Sequence, residues 1–331
     1  FLAGPPLLKA ATGDVANDED LGGAEMHSQV AGTSEFLAES DGDGIRIARE
    51  IVASLDWNKN RPSFPPQLVT QPLYDTEELC GVVPVDYRKP VDSREVIARI
   101  IDGSDFLDFK TEYDTQTICG RARLHGMPVG IISNNGPITI KGATKAGQFM
   151  QLCDQTDIPL VFLMNTTGFM VGSESEQGGI VKHGSKMIQA VANVSVPRIT
   201  VVIGASFGAG NYGMSGRGFR PDFIFAWPNA RTAVMGGEQA AKVLDIVSRE
   251  KILREGRAPT AEEEAQLVAT EAAIIKQFDR DSHPLAGTAR LYDDGLIDPR
   301  DTRRILAYTL SICRESRLRP VKTNSFGVAR F

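Results

Sequence analysis

Short, uniformly apolar segments are set among helical patterns through the second half of this 331-residue chain. They read PLVFLMN at 159–165, RITVVIG at 198–204 and FIFAW at 223–227, and amphipathic stretches lie near 178–192 and after 236. A strand that is apolar along its whole length is buried on both faces, as in largely parallel sheets covered by helices. The sequence therefore predicts an α/β fold.

Two further patterns precede these strands. TICGRARL (117–124) and PVGIIS (128–133) flank a three-residue turn and predict a β-hairpin. The following segment predicts a helix with one buried face. That face carries Ala143, Ala146, Phe149, Met150 and Cys153.

A proline-rich stretch indicates a boundary between two parts of the chain. Four prolines fall between Pro62 and Pro72, a density that suits an extended connector. We therefore expect a linker at 58–75 between a first part at 1–57 and a domain at 76–331. The opening FLAGPPLLKAATG has neither a methionine nor a signal-peptide pattern, and it predicts a fragment or a processed chain.

Composition argues against several classes of function. The net charge is -6, so we expect no nucleic-acid partner, and no apolar run approaches the roughly 18 residues that would predict a membrane span. The four cysteines are widely spaced, which indicates a reducing compartment and argues against a zinc site. We expect Cys153 and Cys313 to be buried thiols, and we expect no metal in this chain.

The stretch GASFGAGNYGMSGRG (204–218) follows an apolar strand and holds the strongest chemical signal. Gly208, Gly210 and Gly213 form a GxGxxG pattern, but the next strand ends at 227–229 without the acidic residue that a dinucleotide site requires. No GxxxxGK[ST] occurs and no GxSxG marks a strand-to-helix turn. His183 favours a solvated helix position over a general base. Two interpretations remain equal: tight packing of a helix on a sheet, or backbone N–H groups that stabilise an oxyanion.

Longer stretches of the chain resemble one family. They are FLAGPPLLKAATG, LGGA (21–24), DSREVIARIIDGS (92–104), NTTGFMVGSESEQGGIVKHGSKM (165–187), GASFGAGNYGM, FAWPNARTAVMGGEQAA (225–241) and DDGLIDPRDTR (293–303). In this order they resemble the carboxyltransferase (β) subunits of biotin-dependent acyl-CoA carboxylases. GFMVG and GAGNYGM are similar to the methylcrotonyl-CoA and geranyl-CoA carboxylase branch.

The resemblance implies a crotonase-like spiral of parallel sheets flanked by helices, and it equates this chain with the end of the first half and the whole second half of the subunit. The amides of Ala209 and Gly210 would form the oxyanion hole that faces the biotin ureido group. Gly208 and Tyr212 would lie beside the cofactor, and Gly168 and Phe169 would form a nearby wall. Tyr212 occupies a position that tunes acyl-chain choice in propionyl-type relatives.

The same resemblance implies the reaction and the partners. Carboxybiotin would arrive on a carrier domain of a biotin carboxylase/biotin carrier (α) subunit, and biotin itself would act as the base toward the acyl-CoA. The family usually assembles as a hexamer. A bacterial cytoplasm is favoured over a mitochondrial matrix, and the sequence does not choose between 3-methylcrotonyl-CoA and geranyl-CoA.

Two other functions stay open at this point. A biotin-independent hydratase or isomerase of the crotonase type would need a carboxylate, for which Glu174 and Glu176 are the nearest candidates. A non-catalytic assembly domain is the other. Lys141 and Lys145 are expected to be solvated surface lysines rather than ligands of CoA phosphates.

Overall fold

The chain divides into two compact units, one formed by residues 1–64 and 315–331 and the other by residues 65–314. The structure, a computed structural model, describes residues 1–57 and 68–319. Most of the linker expected at 58–75 therefore lies outside the described residues. The domain limits drawn from the sequence stay a prediction.

The first unit begins with short helices that bury little apolar surface. Ser40 caps the longest of them by accepting a hydrogen bond from the Asp43 amide. Ile45 and Val52 on this helix are each 61% exposed. The helices are α1 (Pro5–Thr12), α2 (Asp18–Gly22) and α3 (Asp41–Ser54), with a π-helical turn at Met26–Val30.

The second unit is built on one seven-stranded sheet with the order β1-β2-β3-β4-β5-β6, in which β7 also pairs with β5. Its strands are β1 (Leu107–Asp108), β2 (Thr117–Leu124), β3 (Met127–Asn134), β4 (Leu160–Thr166), β5 (Arg198–Phe207), β6 (Phe223–Ala226) and β7 (Arg231–Ala233). The predicted hairpin is confirmed: β2 pairs antiparallel with β3, and β1 pairs antiparallel with β2. The pairs β3–β4, β4–β5, β5–β6 and β5–β7 are parallel.

The sheet is therefore mixed: it is largely parallel, as the uniformly apolar strands predicted, with an antiparallel hairpin at one side. The reason for the antiparallel part is local. His125 adopts a φ of 48° and Gly126 a φ of 77°, and a turn this short can join only antiparallel strands. The parallel strands need helical crossovers, as the alternating sequence pattern predicted.

Helices cover both faces of the sheet. The α-helices among residues 68–319 are α4 (Leu79–Val82), α5 (Arg94–Ile100), α6 (Ile140–Gln155), α7 (Ser173–Gln177), α8 (Ile180–Asn193), α9 (Gly208–Gly213), α10 (Gly237–Arg254), α11 (Ala261–Asp281), α12 (Pro284–Thr288) and α13 (Thr302–Leu318). Alternate strand residues feed two separate buried clusters: Val161 and Leu163 of β4 pack with α5 and α13, whereas Phe162 and Met164 pack with α6 and α8. This division confirms that β4 is buried on both sides.

Buried ionisable groups in this unit partly match the expectations. Cys153 and Cys313 are buried as predicted, and burial raises the pKa of Cys153 to about 11 and that of Cys313 to about 12. Lys141 is exposed beside the Tyr113 ring. The expectation for Lys145 is wrong: it is fully buried, and its Nζ donates to the Asp114 carbonyl at 3.1 Å. Its position falls on the buried face of α6, but a lysine is expected at the surface unless the fold supplies a buried acceptor for its ammonium group.

Candidate active site

The loops that follow β4 and β5 meet at one edge of the sheet. The two strands are parallel neighbours, and Thr166 lies opposite Ser206 after an irregularity in the register. Asn165 joins their ends, because its Oδ1 accepts a hydrogen bond from the Ala205 amide at 3.0 Å. The fold thus brings together two glycine-rich segments that are 40 positions apart in the sequence. They meet because the carboxyl ends of adjacent parallel strands lie at the same edge of a sheet.

Gly168 and Gly210 pack directly against each other across this edge. A methyl group on Gly210 would lie 2.8 Å from the Gly168 Cα and 2.9 Å from the Thr166 Cγ2. Gly168 has a φ of 121°, which favours glycine. Its carbonyl accepts hydrogen bonds from the Ile138 amide at 2.9 Å and from the Thr166 hydroxyl at 3.1 Å. Tight packing is therefore one real reason for the glycines.

The start of α9 provides exposed backbone donors as well. The helix begins directly after β5, so Gly208, Ala209 and Gly210 occupy its first three positions. Amides at these positions have no acceptor within their own helix and lie at its positive end. Phe207, at the N-cap, provides no side-chain cap. Ala209 is exposed, whereas Gly210 is buried against the loop of Gly168.

A cleft of about 510 Å³ opens in front of this helix start. Gly208, Ala209 and Tyr212 line one side of it. Asn211 and the β5 residues Val202 and Ser206 also line it, and the rest of the wall comes from later parts of the chain, including Ala233, Val234, His283, Pro284 and Tyr292. Its volume falls within the range of small-molecule sites, roughly 300–1,000 Å³.

Tyr212 is held in place as part of the cleft wall. Its ring is 49% exposed and meets the Phe219 ring edge-on, with 5.8 Å between centroids. A methyl group on Gly218 would lie 2.9 Å from the Tyr212 Cε1, so the ring packs on bare backbone. Tyr212 therefore has one side toward the cleft and one side fixed by the turn that follows α9.

Gly168 and Phe169 lie beside α9 but do not line this larger cleft. The Phe169 ring packs against the helices: methyl groups on Gly213 and on Gly184 would each lie 3.2 Å from it. Phe169 instead lines a second cleft of about 280 Å³, together with Glu176. Gly168 thus contacts the helix start at Gly210, and neither residue lines the larger cleft; their role as a wall of the site stays a prediction.

The carboxylates and imidazole that line the larger cleft belong to Asp281, His283 and Asp293. The Asp281 carboxylate accepts a hydrogen bond from the Arg280 Nε at 3.1 Å. The His283 Nδ1 accepts a hydrogen bond from the Leu285 amide at 3.3 Å and so caps α12. The Asp293 carboxylate accepts from the Thr288 hydroxyl at 2.8 Å. Neither Glu174 nor Glu176 lines this cleft. Within residues 1–57 and 68–319, no group of three His, Cys, Asp or Glu side chains is arranged to hold a metal ion.

The wall formed by residues 281–293 was not predicted from the sequence. These residues follow α9 by about 70 positions and carry no motif, so only the fold places them at the cleft. His183 lies away from this cleft on α8, half-buried, with its Nδ1 3.2 Å from the Thr144 hydroxyl. Among the described helices, none is both long enough and apolar enough to cross a bilayer.

Comparison with known proteins gives consistent matches. The carboxyl transferase domain family matches residues 1–325. Over its full length the chain is 52% identical to a probable biotin-dependent acyl-coenzyme A carboxylase β2 subunit of Mycobacterium tuberculosis, of which the alignment covers 61%. It is 47% identical to the mitochondrial methylcrotonoyl-CoA carboxylase β chain of Dictyostelium discoideum, again over the full chain and over 55% of that relative.

A solved structure is also similar. The crystal structure of the β subunit of P. aeruginosa geranyl-CoA carboxylase superposes with a TM-score of 0.79 at 59% sequence identity. The match covers 100% of this chain and 61% of the other. The chain thus spans 55–61% of the length of these relatives.

Proposed function

Because the chain belongs to the carboxyl transferase domain family, we propose that it forms part of the carboxyltransferase (β) subunit of a biotin-dependent acyl-CoA carboxylase. One observation carries the proposal: a helix start without a side-chain cap borders a cleft of about 510 Å³ through Gly208 and Ala209. Successive backbone amides of this kind suit an oxygen that gains negative charge during a reaction. Asp281, His283 and Asp293 at the cleft each accept a hydrogen bond from another protein group, which agrees with a reaction whose base comes with the cofactor.

The residues present fit a biotin group. Its ring system is small and largely apolar, and its ureido oxygen accepts two hydrogen bonds, which matches two adjacent N–H donors and apolar walls. Carboxybiotin supplies both the carboxyl group and, once that group has left, the base. The Ala209 and Gly210 amides would donate to the ureido oxygen, and Gly208 and Tyr212 would border the ring. Loss of one such donor typically costs about 2.7–4 kcal/mol in the barrier.

The substrate and partners extend the same proposal. We infer a branched enoyl-CoA, either 3-methylcrotonyl-CoA or geranyl-CoA, since relatives named for both are at least 47% identical to this chain. The cofactor would arrive on a biotin-carrying α subunit, in a hexameric assembly that works in a bacterial cytoplasm. Residues 1–57 would complete the first half of the subunit, and residues 76–331 would form the second.

A carboxylation assay tests the proposed function. The complete β subunit, with its biotin-carrying partner, ATP and labelled bicarbonate, is offered a panel of acyl-CoA substrates. We expect label in 3-methylcrotonyl-CoA or geranyl-CoA. Hydration of an enoyl-CoA in the absence of biotin, without any carboxylation, would instead establish the hydratase alternative.

Substitution of Ala209 tests the donor site. The residue is exposed at the second position of α9, where proline is tolerated but lacks the N–H. Ala209→Pro is expected to lower kcat by about 10²–10³-fold. Ala209→Gly retains the amide and should lose far less activity. Equal turnover of the two variants would remove this amide from the mechanism.

A further inference from the structure

Asn211 joins the first turn of α9 to the strand beneath it. Its Nδ2 donates to the Ser206 hydroxyl at 2.8 Å and lies 3.9 Å from the Met164 Sδ. Ser206 is fully buried near the end of β5, so the hydroxyl is fixed by the sheet. The hydrogen bond therefore spans residues 207–210, the segment that carries the Ala209 and Gly210 amides.

The rest of Asn211 is equally constrained. Its carbonyl accepts a hydrogen bond from the Gly216 amide at 2.8 Å. A methyl group on Gly216 would overlap the Asn211 side-chain amide, so only glycine leaves room for this side chain. Asn211 is thus packed between the strand end and the returning chain, and its side chain has little freedom to turn.

No other side chain performs this task in the described part of the chain. Phe207 offers no cap, and residues 208–210 are two glycines and an alanine, which have no polar side-chain atoms. Within residues 1–57 and 68–319, the side-chain hydrogen bonds between α9 and the sheet are both made by the Asn211 Nδ2, one to the Ser206 hydroxyl and a longer one to the Met164 Sδ. A six-residue helix gains little stability from its own hydrogen bonds, so its orientation depends on such contacts.

We propose that Asn211 is a positioning residue: its hydrogen bond to Ser206 fixes the orientation of the first turn of α9, which carries the Ala209 and Gly210 amides. This inference rests on the proposed carboxyl transfer. Backbone N–H donors stabilise a developing negative charge best when the fold already orients them toward it. A small rotation of the first turn of α9 should therefore weaken transition-state stabilisation more than it weakens substrate binding.

Kinetics of the complete β subunit with its partner give the first test. Asn211→Ala and Ser206→Ala are each expected to lower kcat about tenfold, while the KM for the acyl-CoA changes by less than about twofold. The double variant should lose no more than the worse single variant, because both changes break the same bond. Asn193→Ala is the matched control, since it removes one exposed side-chain hydrogen bond, to the Gln189 carbonyl, and keeps wild-type kinetics.

Amide hydrogen exchange gives a second readout that does not depend on activity. The Met214 and Gly216 amides donate to the Gly210 and Asn211 carbonyls at 3.0 and 2.8 Å, and so report the order of the turn. Their exchange should accelerate about tenfold in Asn211→Ala, whereas that of Val194, which donates to the Ala190 carbonyl, stays unchanged.

The two readouts separate the outcomes. Losses in kcat that multiply in the double variant, or unchanged kcat and exchange in Asn211→Ala, would overturn the positioning role. A third outcome is faster exchange in Asn211→Ala together with an unsubstituted subunit that carboxylates no acyl-CoA. This outcome would support the Asn211–Ser206 hydrogen bond as a structural link and overturn the proposed function instead.

Discussion

Replacing Gly210 with alanine inserts a methyl group where α9 touches the loop after β4. The new carbon would lie 2.8 Å from the Gly168 Cα, 2.9 Å from the Thr166 Cγ2 and 3.2 Å from the Gly168 nitrogen. Carbon atoms in contact are normally about 3.5–4.0 Å apart. The backbone of Gly168 cannot turn aside as a side chain would, because its carbonyl is bonded to the Ile138 amide.

The size of the effect follows from these contacts. The helix start and the loop must separate by about 0.7–1 Å to restore normal contact distances. A displacement of about 1 Å at a catalytic group can cost about 10²-fold in rate, which corresponds to about 2.7 kcal/mol. Overpacking of this kind also destabilises the fold by about 1–3 kcal/mol.

Gly213→Ala in the same helix is the matched control. Its methyl group would meet the Phe169 Cζ at 3.2 Å and the Met187 Sδ at 3.4 Å, which are ends of side chains that can shift. Both variants of the complete subunit are compared by acyl-CoA carboxylation and by thermal unfolding. We expect about a 10²-fold loss of kcat for Gly210→Ala and less than about threefold for Gly213→Ala.

Two results would refute this reasoning. A Gly210→Ala enzyme with full kcat would show that the donors tolerate the displacement or do not act there. Equal losses in both variants would show that the close approach to Gly168 is not the cause.

Three further predictions concern stability and reactivity. Asp102→Ala leaves the Arg303 side chain, which is 5% exposed, without its carboxylate partner at 2.7 Å. The free energy of unfolding in urea should fall by about 3–5 kcal/mol, and a loss below about 1 kcal/mol contradicts this. Among the described residues the buried Thr117 hydroxyl has no hydrogen-bond partner, whereas the Thr200 hydroxyl donates to a carbonyl at 2.8 Å. Thr117→Val should therefore leave the free energy of unfolding unchanged or raise it, and Thr200→Val should lower it by about 1–3 kcal/mol; equal losses contradict this. A thiol reagent at pH 8 should label one cysteine of the native protein, the exposed Cys80, and all four after unfolding; labelling of a second thiol before unfolding contradicts this.

Much of the sheet could be predicted from local pattern. The hairpin, the buried strands β4 and β5 and the apolar face of α6 all follow from periodicity, because alternation and helical spacing are properties of neighbouring residues. The loops that follow β4 and β5 could also be expected to lie close together, since neighbouring parallel strands end at the same edge of the sheet. The burial of Lys145 could not be predicted, because it depends on a carbonyl acceptor 31 residues earlier in the chain.

The candidate site shows the same division. The sequence alone determined the segment, since glycines at the end of a buried strand indicate either close packing or exposed backbone. Only the tertiary structure decided that Gly210 packs on Gly168 while Ala209 faces the cleft, and that residues 281–293 close it. The physical reason is that backbone donors carry no side-chain signature: their function depends on what the fold places opposite them, and that comes from residues far away in the chain.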